Sequence, residues 1–258
     1  MLRRTTPEGQ HSGYPMTDMR RKLKLQTEQD VLSHFEAYPL DNSIRDYLHF
    51  HANRYAFLLA KVDTLERKRI LDIGPSFQTL LMREIYPDSV VDTLGFDDNR
   101  FPRREKDRHI EFDLNDSTDP EKWPKVEEPY DLVVMAEVLE HVYTAARPVL
   151  NSVASLLRNG GSLMIQTPNA VNLGRRISTA KGENPFGMIR EQKNNPGHFC
   201  EFTVGDLRGA AESAGLTVLE ATLTNYFGSR GFRKSVYELL CSALPGDLRD
   251  GITLIARK

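Results

Sequence analysis

Hydrophobic positions along the chain follow two periods. Apolar runs at 70–73, 90–96, 130–135 and 162–166 read as strands. The third, Tyr130-Asp131-Leu132-Val133-Val134-Met135, is nearly continuous, as in a strand buried on both faces. Stripes at three- and four-residue steps predict helices between them. One takes Ile44, Tyr47, Leu48, His51, Tyr55, Leu58, Leu59, Val62 and Leu65 over 43–65, with Ser43 placed to cap it. Another takes Phe77, Leu80, Leu81 and Ile85 and is stopped by Tyr86-Pro87-Asp88. A third covers 148–157 and ends at Arg158-Asn159-Gly160-Gly161, glycine being the usual left-handed terminator. His109 to Phe112 predicts a short strand, and Asn115 to Pro129 a loop. Thr203-Val204-Gly205-Asp206 predicts a capping box that opens a helix closed by Gly215. Leu216 to Thr224 and Ile252 to Ala256 complete the strands. A weaker stripe (Leu23, Leu25, Val31, Leu32, Phe35) precedes all of this, and residues 1–16 show no period.

Seven strands interleaved with helices predict an α/β fold with a doubly wound, mostly parallel sheet. Residues 1–65 are expected to form an N-terminal arm and helices, and 66–258 the sheet domain. Two long interruptions, at about 168–202 and 226–250, lie within it.

Composition narrows the function. A formal net charge of -2 gives no electrostatic reason to expect a nucleic-acid partner, and Arg20-Arg21-Lys22 reads as a solvated face. No apolar run is long enough to span a bilayer, and the first ten residues lack the apolar core of a signal peptide. Cys200 and Cys241 form no C-x-x-C pair, and no cluster in the sequence has metal-ligand spacing, which leaves only scattered carboxylates for a magnesium ion. The expectation is a protein of the reducing cytoplasm.

The chemistry concentrates between Arg69 and Asp97. A strand ends in Asp72-Ile73-Gly74, a helix follows, and the next strand ends in Asp97-Asp98. A glycine turn lets a ligand approach the backbone, and an acid on the next strand end can hold two ribose hydroxyls, so this half-sheet reads as a nucleoside-binding crevice.

These residues resemble the class I S-adenosylmethionine-dependent methyltransferases. The resemblance rests on I-L-D-I-G at 70–74, G-F-D at 95–97, D-L at 113–114, Y-D-L-V-V-M-A-E-V-L-E-H-V at 130–142, L-L-R-N-G-G-S-L-M-I at 156–165 and G-H-F-C-E-F-T at 197–203. It implies a Rossmann-like methyltransferase fold that binds S-adenosylmethionine. Asp72, Gly74, Pro75 and Ser76 would border the methionine part, Asp97 and Asp98 the ribose, and Asp113 and Leu114 the adenine, with Ala136 at the end of the fourth strand. The chain departs from the family's D-x-G-x-G-x-G pattern: Asp72-Ile73-Gly74-Pro75-Ser76-Phe77-Gln78 keeps one glycine, and Gln78 takes up room. A dinucleotide is disfavoured, since nothing here cradles two phosphates.

Methylation of a hydroxyl needs a base, and histidine is the usual one near neutral pH. His141 is the first candidate, with Glu137 orienting it if the segment is helical, and His198 the second. His49 and His51 read as packing or surface residues. The stretch 167–200 is rich in Asn, Gln, Arg and Lys, so it is expected to cover the acceptor, with Asn169, Arg175, Arg190 and Glu201 as substrate contacts. It also resembles bacterial methyltransferases of cell-surface polysaccharide and sugar pathways, which implies O-methylation of a sugar or glycan, as a small molecule or oligosaccharide. A phenol, quinone precursor or carboxylate as acceptor, or a non-catalytic binding module, are the alternatives.

Overall fold

The computed structural model describes residues 27–36, 38–191, 196–227 and 245–258. The N-terminal arm, the basic cluster at 20–22, Leu23, Leu25, Cys241 and most of the 226–250 interruption lie outside the described residues.

The elements follow the hydrophobic pattern closely. Helices α1 (Glu28–Glu36) and α2 (Asn42–Val62) precede strand β1 (Arg69–Ile73), helix α3 (Phe77–Ile85), and strands β2 (Val90–Gly95) and β3 (His109–Glu111). Then come β4 (Tyr130–Ala136), α4 (Ala146–Leu156), β5 (Leu157–Pro168), α5 (Leu173–Ala180), α6 (Val204–Ser213), β6 (Thr217–Thr224) and β7 (Gly251–Arg257). The seven strands form one sheet in the order β3-β2-β1-β4-β5-β7-β6, and only β7 runs antiparallel to its neighbours.

Alternation along the strands builds two apolar layers. Ile70, Val91, Leu132, Val134 and Met164 face α1, α2 and α3, while Leu71, Ile73, Val133, Met135, Leu163 and Ile165 face α4 and α6. Both faces are covered, so the sheet is doubly wound, with α2 packed on it as the pattern predicts. Buried charge is spent on joining elements: Arg83 of α3 pairs with Asp107 at 3.1 Å and donates to the carbonyls of Val91, Phe101 and Pro102.

Two termination signals belong elsewhere. Helix α2 is capped by Asp41, whose carboxylate accepts the Ile44 N–H, and Ser43 instead donates its hydroxyl to that same carboxylate. Gly160 and Gly161 do not end α4. They sit inside β5, at a register shift against β4, where a Cβ on Gly161 would lie 2.9 Å from the Tyr130 carbonyl oxygen. The 115–129 loop contains two short 3-10 turns, Leu114–Thr118 and Pro120–Lys122. The capping box at Thr203 and the left-handed Gly215 stand where the sequence puts them.

The strand order places a switch point between β1 and β4, since the chain runs outward from β1 to β3 and returns on the other side. Ligands of such sheets bind beyond the carboxyl ends of the strands at that point.

Candidate active site

Gly74 and Glu137 follow β1 and β4 at the switch point. Gly74 turns at φ 76 and donates its N–H to the Leu94 carbonyl. A Cβ there would lie 2.8 Å from Val138 Cγ2, and a Cβ on Gly95 (φ 129) 3.6 Å from the Gly74 nitrogen. Only side-chain-free residues with left-handed freedom fit both positions. Ser76 gives its N–H to Thr79 Oγ1, and its own buried hydroxyl has no hydrogen-bond partner. Pro75 and Ser76 border a cavity of about 390 Å³ closed on the other side by Ser43, Ile44 and Tyr47.

Asp72 differs from its expected place at the ligand's edge. It is fully buried, accepting from Gln78 Nε2 at 3.0 Å and Thr79 Oγ1 at 2.5 Å, so it holds the turn from beneath. Gln78 takes no room from the crevice, because it points inward: its amide oxygen accepts from Arg54 Nη1 of α2 at 3.1 Å. Burial pushes the Asp72 carboxyl up to about 6, against the lowering effect of these donors. The unfolded chain ionises near the ordinary 3.8, so the folded chain holds this proton more tightly. The contribution to stability is therefore complete below about pH 4 and is lost as pH rises through about 6, a change of about 3 kcal/mol. Asp72→Asn is expected to abolish that part of the decline, so that thermal melts of the variant and the unaltered chain separate between about pH 4 and 6 and keep a constant gap above it, with the variant the more stable. Parallel melting profiles from pH 4 to 8 would contradict this assignment.

The two acids after β2 behave differently. Asp98 is held by Arg100, through Nε at 3.0 Å and Nη2 at 2.6 Å. Asp97 remains 42% exposed, with Arg103 at 3.3 Å, and its N–H donates to Glu111. Asp113 caps the turn after β3, accepting from the backbone and side-chain nitrogens of Asn115, each at 2.9 Å. Leu114 and Ala136 are buried beside these strand ends.

On the far side of Glu137 lies a second cavity, of about 570 Å³. Helix α2 lines it with Tyr47, Phe50 and His51, the β4 end with Glu137 and His141, and later segments with Asn172, Arg175, His198, Phe227 and Asp250. Phe50 and Phe227 stack at 5.4 Å. His51 is a lining residue that its place in the α2 stripe disguises. It accepts from Arg54 Nε at 3.3 Å, and burial together with that guanidinium lowers its pKa to about 3, so the ring stays neutral.

The segment after β4 is not a helix through Glu137. Glu137 stands at φ 59, and a 3-10 turn covers Leu139–His141. The His141 ring is oriented instead by the Gly197 carbonyl, 2.9 Å from Nδ1. A carbonyl can only accept, so Nδ1 carries the hydrogen and Nε2 of the neutral ring keeps its lone pair. Burial is the main cause holding the His141 pKa below its ordinary value. The His198 ring meets it edge-on at 4.8 Å and is held through Nδ1 by Glu201 at 2.8 Å.

The expected acceptor contacts divide. Arg175 lines the cavity, paired with Glu201 and lying over the Phe186 ring. Glu201 is buried beneath Arg175 and His198 and positions both from behind. Asn169 is buried too, and its amide nitrogen is spent on the carbonyls of Asp247 and Arg249, which fixes the wall next to Asp250. Arg190 is exposed and lies beside Gly197, outside the lining. The fold also brings together residues that show no metal-ligand spacing in the sequence. Glu140, His141 and His198 each bring one ligand atom within 4.8 Å of the others.

Comparison with known proteins agrees with this architecture. A family model described as a methyltransferase domain matches residues 44–221, well over half of the chain. The fold resembles a SAM-dependent methyltransferase of Archaeoglobus fulgidus at 16% identity and a TM-score of 0.56, over 84% of this chain and 100% of that one. It also resembles an S-adenosylmethionine-dependent methyltransferase of Mesorhizobium loti at 16% identity and a TM-score of 0.51, over 78% and 96% of the two chains. At these identities the likeness is one of fold. No curated protein matches the sequence. No described helix is long and apolar enough to cross a membrane. With the glycine turn at the switch point and the domain match running through every strand from β1 to β5, the chain belongs to the methyltransferase-domain family and is an S-adenosylmethionine-dependent methyltransferase.

Proposed function

We propose that the enzyme methylates a hydroxyl group of a polar acceptor, a sugar or glycan, and that His141 takes up the hydroxyl proton. The cofactor's place is supported by the left-handed glycine turn at the switch point, the partnerless Ser76 hydroxyl and the exposed Asp97 carboxylate. In this reading Gly74, Pro75 and Ser76 border the methionine part and Asp97 accepts from the ribose hydroxyls. Asp113 and the Leu114 backbone meet the adenine, and Ala136 floors the crevice. When bound, the cofactor supplies a methyl group on a sulfonium, whose carbon–sulfur electron pair stays on sulfur as the acceptor oxygen bonds to carbon.

The chain's own task is to hold that oxygen in line and remove its proton. The observation that carries the proposal is the His141 Nδ1–H bond to Gly197, which leaves the Nε2 lone pair for the acceptor in a ring that lines the cavity. Arg175, Asn172, His198 and Asp250 supply the polar lining that a polyhydroxylated ligand needs.

A second reading has its own support. Tyr47, Phe50 and Phe227 make one wall of the cavity aromatic, which suits a phenol or quinone precursor. The test is transfer of labelled methyl from S-adenosylmethionine to matched panels of glycosides and substituted phenols. Saturable transfer to glycosides is expected, whereas turnover confined to phenols would replace the first reading by the second.

A further inference from the structure

We infer that Glu140, His141 and His198 form a binding site for one divalent cation, with Glu137 beside it, at the floor of the acceptor cavity. The inference rests on the reading of this group as the one that activates the acceptor hydroxyl, and it says how. The three residues each place a ligand atom within 4.8 Å of the others, which is the spread of donors around a single ion.

Their unused atoms point to the same ligand. Glu140 has no exposed surface, and although Thr167 donates to Oε2, its Oε1 has no hydrogen-bond partner. Glu137 Oε1 is likewise buried without a partner. Two neighbouring buried carboxylates are costly unless a cation or a shared proton neutralises them, and only a cation also uses the two imidazole nitrogens beside them.

The histidines are supported as metal ligands usually are. Both are held through Nδ1, His141 by the Gly197 carbonyl and His198 by the Glu201 carboxylate, which leaves Nε2 of each for coordination. This backing by a carbonyl or carboxylate fixes tautomer and ring orientation in metal sites. Because Glu137, His141 and His198 also line the cavity, the cation keeps open positions toward the acceptor. A hydroxyl contacting it there loses its proton more easily, the proton passing to the Glu137 carboxylate beside the ion, and His141 Nε2 then serves as ligand in place of proton acceptor. Two imidazoles with a carboxylate favour Mn2+, Co2+ or Zn2+ over Mg2+.

The test is titration of the full-length, chelator-treated protein with Co2+, followed by its visible absorption and by calorimetry, and repeated with Glu140→Gln and His198→Gln. Saturable binding of one ion per chain, weakened at least about tenfold in both variants, is expected. His198 is partly exposed, so its variant keeps the test informative should the buried Glu140 change fail to fold. Absence of saturable binding to the unaltered chain, or binding unchanged in both variants, would overturn the inference. Methyl transfer that proceeds at full rate after chelation overturns it as well, and leaves His141 as the base. Co2+ binding without transfer to any hydroxyl supports the cation site and removes the hydroxyl acceptor instead.

Discussion

Replacing His141 by alanine is expected to lower the turnover number for methyl transfer by about two to four orders of magnitude. Affinity for S-adenosylmethionine should stay close to that of the unaltered chain. The separation follows from position: His141 lines the acceptor cavity, and the turn at Gly74, Pro75 and Ser76 borders a different one. The variant also leaves the carbonyl of the buried Gly197 without this donor. Steady-state kinetics with saturating acceptor, beside calorimetric titration with the cofactor, measures both quantities. A rate loss below tenfold would remove His141 from the chemistry, and a parallel loss of cofactor affinity would assign it to the fold of the crevice.

The second large effect concerns Asp97. Asp97→Ala is expected to raise the Kd for S-adenosylmethionine and S-adenosylhomocysteine by roughly two orders of magnitude, because hydrogen bonds to a charged acceptor contribute about 3 kcal/mol together. The neighbouring Asp98→Ala should change affinity much less, because Asp98 is already engaged by Arg100. Neither change should alter thermal stability appreciably, since no core packing depends on them. Equal losses in the two variants would mean that the crevice is recognised by its net charge and not by a contact at Asp97.

The fold was largely legible because its signals are local. Apolar runs, the stop at Pro87 and the capping box at Thr203 each act over a few residues, and the strands and helices stand within a few residues of where these place them. Errors arose where a local signal had two solutions. Ser43 and Asp41 can both cap α2, and the carboxylate, two residues earlier, takes the role. Gly160-Gly161 can end a helix or absorb a register shift, and the tight approach to the Tyr130 carbonyl decides for the latter.

The site was less legible because its partnerships cross the chain. Gln78 looks like an intrusion in the glycine turn until Arg54, from another helix, is seen to donate to its amide oxygen. His51 belongs to a helical stripe and reads as core, yet the stripe's edge is the cavity wall. Glu140, His141 and His198 show no ligand spacing because the third member arrives from the segment beyond β5. Asn169 looked like a substrate contact by composition, but its amide is consumed by the carbonyls of Asp247 and Arg249.

The sheet order has a consequence for synthesis. Strand β6 lies at the edge and pairs only with β7, which itself stands between β6 and β5. On the ribosome, β6 therefore emerges without a partner and must wait for residues 251–257. Until then the nascent chain carries an open edge on β5, the kind of surface that invites wrong pairing. Asp250, a wall of the acceptor cavity, comes into place only with β7. The turn at Gly74, proposed for the cofactor, can assemble early, whereas the cavity proposed for the acceptor is complete only after β7 has been translated and docked.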